Sequence, residues 1–184
     1  VLMIDYDDRN ETYLMGGIQR LLLNAIKYFG EKISTMFFCE PQKFSPDCLG
    51  HISGFAKGIN PFMTFPTSVE SAEAALDDLM LKMEPSQEVT EFYIFHSFPE
   101  AYDVEMQSRI LELCRNAETN GLLVVLTHKQ SDETSTAEEE ARRRAAASIR
   151  SRNGGFYLEE TKQSLFWYSA PSDIPDEIRR VYVE

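Results

Sequence analysis

At 184 residues and 43 % hydrophobic content, the chain is long enough for one domain with a substantial core. It holds no apolar run of the roughly 18 residues that a bilayer-crossing helix needs. Thirty acidic residues against 18 basic ones set the net charge at −12, which argues against non-specific adhesion to nucleic acid or to an anionic membrane.

Val1-Leu2-Met3-Ile4 carries no polar residue and runs straight into Asp5, Asp7 and Asp8. Such a run predicts a strand covered on both faces, as in the middle of a parallel sheet. Ligand sites in these sheets lie just beyond the carboxyl ends of the strands. The three aspartates are therefore the first candidates for chemistry, most simply a divalent cation held by oxygen ligands. Because the chain starts on Val1 inside a strand pattern, it reads as a single domain, 1–184, cut from a longer protein. Tyr13 to about Gly30 places Ile18, Leu21, Leu22, Ala25, Ile26 and Phe29 at helical spacing, with Thr12 as N-cap and Gly30 as the stop. Ser34–Cys39 predicts a second strand. Glu40 to Pro66, with four prolines and three glycines, reads as loop with a short strand at His51 to Ala56.

Thr67 or Ser68 caps the next helix, Glu70 completes a capping box, and the apolar face runs from Ala72 to Met83. Phe92–His96 is a buried strand, Asp103 to Asn120 a helix stopped by Gly121, and Leu122–Leu126 a strand ending in Thr127-His128-Lys129. Asp132 to Arg150 reads as one charged helix, Gly155 to Glu159 as a strand, and Ser164 to Tyr168 as another. The last two are too close for a parallel crossover and should form an antiparallel hairpin. The alternation as a whole predicts an α/β fold in three layers, α/β/α, around a mostly parallel Rossmann-like sheet. Leu2, Ile4, Phe37, Ile94, Phe95, Val124 and Val125 should lie in its core.

Asp5 at the end of strand one, a threonine near a middle helix start and His96-Ser97 after a later strand resemble the von Willebrand factor A (vWA) domain. The resemblance implies a metal-ion-dependent adhesion site holding Mg²⁺. Asp5 stands for its first aspartate, Asp7 and Arg9 for the two serines, and Thr64, Thr67 or Ser68 for the threonine. His96 stands for its second aspartate. The candidate metal set is thus Asp5, Asp7, Thr67 and His96. With Arg9 bringing a positive charge and the serines gone, the site reads as degenerate and no resident cofactor is expected. A second echo is the phosphorylation receiver domain, through Asp7, Asp8 and Thr127-His128-Lys129, but His96 replaces its phospho-acceptor and the spacing is too long. In the vWA strand order Asp5, Asp7, His96 and His128 converge, which would suit a transition metal or acid–base catalysis.

Motifs for nucleophilic or nucleotide chemistry are absent from the sequence: no GxSxG, P-loop, GxGxxG or HExxH. Cys39, Cys48 and Cys114 lack CxxC spacing and suit reduced thiols of an intracellular protein. Glu138, Glu139 and Glu140 stand four residues before Arg142, Arg143 and Arg144, pairs that support an exposed helix by about 0.2–0.5 kcal/mol each. The arginine cluster is also the best candidate for docking an acidic protein partner, ahead of Phe166, Trp167 and Tyr168. What the resemblance implies is a non-enzymatic scaffold domain of an intracellular assembly, nuclear or cytoplasmic, in transcription, repair or replication. The alternative is a metal-dependent or phosphotransfer enzyme using Asp5, Asp7 and His96.

Overall fold

The computed structural model describes residues 1–7, 11–29, 35–39, 63–64, 66, 68–131, 134–145, 147–152, 155–158 and 163–167. In chain order these form β1 (Leu2–Tyr6), α1 (Glu11–Phe29), β2 (Thr35–Cys39), β3 (Met63–Thr64), α2 (Val69–Lys82) and β4 (Ser86–Phe95). There follow α3 (Val104–Asn116), β5 (Asn120–Lys129), α4 (Thr136–Arg144), β6 (Ala147–Arg152), β7 (Gly155–Leu158) and β8 (Gln163–Trp167). The strands make one sheet in the order β3-β2-β4-β5-β1-β6-β7-β8. Pairing is parallel from β3 through β6 and antiparallel at β6–β7 and β7–β8. This is the expected α/β architecture with its closing hairpin.

Two apolar clusters sit on opposite faces of the sheet. On one, Ile4, Met36, Phe38, Phe92, Ile94 and Val125 pack under Leu14, Ile18, Leu22 and Ala25 of α1. On the other, Phe37, Tyr93, Phe95, Val124 and Leu126 meet Ala72, Leu76 and Leu79 of α2, Ile110 and Leu113 of α3, and Ala141 of α4. The alternation along each strand sorts the residues between the two layers. Of the expected core, Leu2 is only partly buried; the other six are fully inside.

Several local expectations are corrected. The charged helix ends at Arg144, and Ala147–Arg152 is a strand instead. Alanine-rich sequence favours helix, but β1 offers an open edge, and pairing Leu2 to Ala147 through Asp5 to Arg150 outweighs the local propensity. Met63–Thr64 forms a short edge strand inside the segment read as loop. The expected strand at 51–56 lies outside the described residues, as do Asp8, Arg9, Thr67 and Tyr168. The capping box belongs to Ser68 and Ser71, not Glu70: each hydroxyl accepts the other's backbone N–H, at 3.2 and 3.0 Å. Asp103 caps α3 by accepting the Met106 N–H at 2.8 Å.

Gly121 opens the buried part of β5 with φ +64°, and a Cβ there would stand 2.1 Å from the carbonyl oxygen of Glu88. The β4–β5 pairing thus depends on a missing side chain. Gly121→Ala should cost at least about 1–2 kcal/mol from the left-handed backbone alone, with the clash added. A urea midpoint equal to that of the unmodified protein would show that the two strands do not approach so closely.

Candidate functional site

β1 carries Asp5 to the carboxyl end of the sheet, where β5 stands beside it and pairs Asp5 with His128. Both side chains point to the face covered by α4. Asp5 has none of its surface exposed and His128 only 2 %. A carboxylate taken out of water must be matched by charge and hydrogen bonds. Arg142 of α4 supplies a fork, Nη1 donating to Oδ2 at 3.1 Å and Nη2 to Oδ1 at 2.8 Å. His128 Nδ1 donates to Oδ1 at 3.0 Å. Because the carboxylate only accepts, this assigns the Nδ1 proton. The 3.4 Å approach of Arg142 Nη2 to that nitrogen is then a contact between two donors.

The other edge of the imidazole faces two more carboxylates. His128 Nε2 lies 3.3 Å from Glu138 Oε2 and 3.5 Å from Glu100 Oε1, ion-pair distances that fall short of a formed hydrogen bond. Glu138, itself buried, accepts from Arg142 Nε through its second oxygen at 3.0 Å. Two buried carboxylates and two cations therefore close a ring, with the half-exposed Glu100 at its rim. Burial pushes the Asp5 carboxyl up, but the hydrogen bonds from His128 and Arg142 outweigh it and hold it below the usual range. Burial pulls His128 down, and the hydrogen bond to Asp5 with the nearby charges of Glu100 and Glu138 overrides it, raising the imidazole to about 9.

A second polar group forms on the opposite face. His96 follows Phe92 and Ile94 in the strand alternation, so it emerges on the side of α1. Its ring stacks on Tyr6, with centroids 5.5 Å apart, and its Nδ1 meets the Thr127 hydroxyl at 2.7 Å. Thr127 Oγ1 also accepts the Ser97 N–H at 2.9 Å, and the Ser97 and Tyr6 hydroxyls bond at 2.6 Å. Ser97 adopts φ +57°, a conformation rare for a non-glycine residue and held here by both its N–H and its hydroxyl.

The expected convergence of Asp5, Asp7, His96 and His128 is therefore divided. The vWA strand order would seat β1 beside β4; here β5 stands between them. Asp5 and His128 meet on the α4 face, while His96 joins Tyr6, Ser97 and Thr127 on the α1 face. Asp7, partly buried, follows the end of β1, and Thr67 lies outside the described residues. Arg142 is in the ring, Arg143 pairs with Glu139 at 3.5 Å, and Arg144 with Glu140 at 3.5 Å. Glu138 and Glu100 were not anticipated as site residues. The i,i+4 spacing of Glu138 and Arg142 was a signal for their mutual pairing, but nothing local pointed either toward Asp5.

No protein-family model matches the chain, and no curated protein matches it. Solved structures do. The second and third ATPases of Thermomonospora curvata EccC, in complex with a signal sequence peptide, align with a TM-score of 0.66 at 11 % identity, over 92 % of this chain and 37 % of that one. The cytoplasmic domain of the same type VII secretion ATPase aligns at 0.63 and 12 %, over 92 % of this chain and 24 % of that one. The cytoplasmic domain of EssC aligns at 0.53 and 11 %, over 95 % and 35 %. At such identities the likeness is one of fold. The chain spans about a quarter to two fifths of these relatives' lengths. Among the described residues no helix is long and apolar enough to cross a membrane.

The ring has a pH signature. His128 is raised in the folded protein above its ordinary value of about 6.5, so it binds its proton more tightly folded than unfolded. Its stabilising contribution is complete below about pH 6.5 and is lost as pH rises through about 9. Melting temperature should fall between pH 7 and 10, by about 2–4 °C for each kcal/mol lost. In His128→Gln that alkaline slope should flatten; an unchanged slope would assign it to another group.

Proposed function

We propose that this chain is a protein-interaction domain built on an ATPase-type fold, one that does not turn over nucleotide and works inside a multiprotein assembly such as a secretion machine. The observation that carries this reading is the state of the carboxyl end of β1. Phosphate sites in α/β folds use backbone N–H groups of a glycine-rich loop, a lysine for the terminal phosphates and a hydroxyl for Mg²⁺. Here the stretch from the last two residues of β1 into the start of α1 reads Asp5-Tyr6-Asp7-Asp8-Arg9-Asn10-Glu11-Thr12, without glycine or lysine. The whole sequence contains no Gly-Lys dipeptide. A polyphosphate brought to that edge would meet carboxylates, and both Arg142 and His128 are already committed to Asp5.

The fold shared with EccC and EssC supports the setting. One EccC structure holds a signal sequence peptide, and a peptide segment is the class of partner we propose. An assembly on the cytoplasmic side suits this likeness better than a nuclear one. We propose Arg143 and Arg144, at 73 % and 43 % side-chain exposure, as the accessible part of the docking patch for an acidic segment. Arg142 is withheld, because its fork is spent on Asp5.

Two measurements test this. Thermal shift with ATP or ADP and Mg²⁺, and with Mg²⁺ or Mn²⁺ alone, should be flat. A ligand at 100 times its Kd would add about 2.7 kcal/mol, so a saturable rise would overturn the nucleotide-free reading. Arg143→Glu with Arg144→Glu should cost about 0.8–2 kcal/mol, from two lost i,i+4 pairs and the like-charge pairs that replace them, and leave the chain folded by circular dichroism, while salt-sensitive capture of the partner by the full-length protein falls several-fold. Undiminished capture would move the interface off α4.

A further inference from the structure

α4 is attached to the sheet differently from the other helices of its layer. α3 buries Met106, Ile110, Leu111, Leu113 and Cys114, and α2 buries Ala72, Leu76 and Leu79. α4 buries only Ala141 and the charged Glu138, with Ala137 packed partly beneath it. A methyl-sized group contributes about 0.8 kcal/mol on burial, so this alanine face holds weakly. What reaches from α4 into the sheet is charge. Arg142 bonds Asp5 of β1, Glu138 faces His128 of β5, and Glu140 takes Arg115 of α3 at 2.7 Å. From the turn after β4, Glu100 faces the same imidazole. At nine residues the helix is also below the roughly 12–15 that stand alone in water. Its ends are already closed: Ser135 accepts the Glu138 N–H, and Ala145 leaves in extended conformation toward β6.

We propose that α4 is an ionic latch, a helix held over the ends of β1 and β5 by the Arg142–Asp5 and Glu138–His128 pairs and able to open while the sheet stays folded. Opening frees Arg142 to stand beside Arg143 and Arg144. In the closed state Arg142 is 31 % exposed and its fork faces inward; once released, the docking patch gains its third arginine. An acidic segment of a partner competes with Asp5 for that guanidinium, so docking and opening favour one another. Only this last step rests on the docking reading.

Amide hydrogen exchange on the intact chain tests the latch with no partner present. The Glu139 and Ala145 amides, bonded to Ser135 and Ala141 carbonyls, should exchange by local opening, at least about tenfold faster than Val124 to Leu126 of β5. Asp5→Asn removes the charge while keeping the shape, and should speed α4 further relative to β5. Since that change sits in a central strand, Arg142→Lys provides a milder variant that keeps the cation and loses the fork; it should act in the same direction. Exchange of α4 in step with β5 in the unmodified protein and in Arg142→Lys would overturn the latch. Failure there leaves the docking reading intact, and failure of the capture experiment leaves the latch intact.

Discussion

A carboxylate with no exposed surface, Asp5, sits at the carboxyl end of an interior strand, and His128 of β5 and Arg142 of α4 converge on it to neutralise it. Moving a lone carboxylate out of water costs several kcal/mol even after relaxation, so it persists there only with partners. β5 brings His128 by strand pairing, and α4 brings Arg142 by crossing above. Glu138 then balances the cations and ties the ring back to α4. The same pair that satisfies Asp5 thus fixes where a helix lies.

This arrangement uses charge where the rest of the layer uses apolar packing. Buried ion pairs are poor sources of net stability, because desolvation offsets their attraction. They are specific, however: Arg142 fits Asp5 in one register of α4, and sliding the helix by a turn would break the fork, leaving Asp5 with His128 alone and Arg142 with Glu138 alone. The alanine face permits close approach without dictating position. Geometry set by ions and weak apolar adhesion are the two properties a releasable element needs.

On the α1 side the polar residues behave differently. His96, Thr127, Ser97 and Tyr6 form short hydrogen bonds among hydroxyl, imidazole and backbone, buttressed by the Tyr6 and Phe38 rings. The turn after β4 is further pinned by the Phe98 N–H to the Thr127 carbonyl, at 2.8 Å, and by Tyr102 to the Cys39 carbonyl, at 2.9 Å. It links β2, β4 and β5 at their carboxyl ends. One end of the sheet therefore carries a stiff hydrogen-bonded seam on one face and an ionic closure on the other.

The apolar periodicities of β1, β2, β4, β5, α1, α2 and α3 were readable from local sequence, because side chains alternate on a strand and recur every third or fourth residue on a helix. The closing hairpin was readable from the shortness of its connection. β6 was not, since Ala147-Ser148-Ile149-Arg150 has no strand signature of its own and extends only because β1 offers it an edge. Nor was the sheet order: periodicity tells which face a residue takes, not which strand lies alongside. That one unknown decided the site. His96 and Asp5 looked like partners in a strand order that neighboured them, and the true order put β5 between them while alternation sent them to opposite faces. Asp5 and Arg142 are 137 positions apart, and no local pattern relates them. The sequence alone determined that a carboxylate would stand at the end of a buried strand; tertiary structure chose its partners, because a buried charge is matched by whatever the fold brings within hydrogen-bond reach.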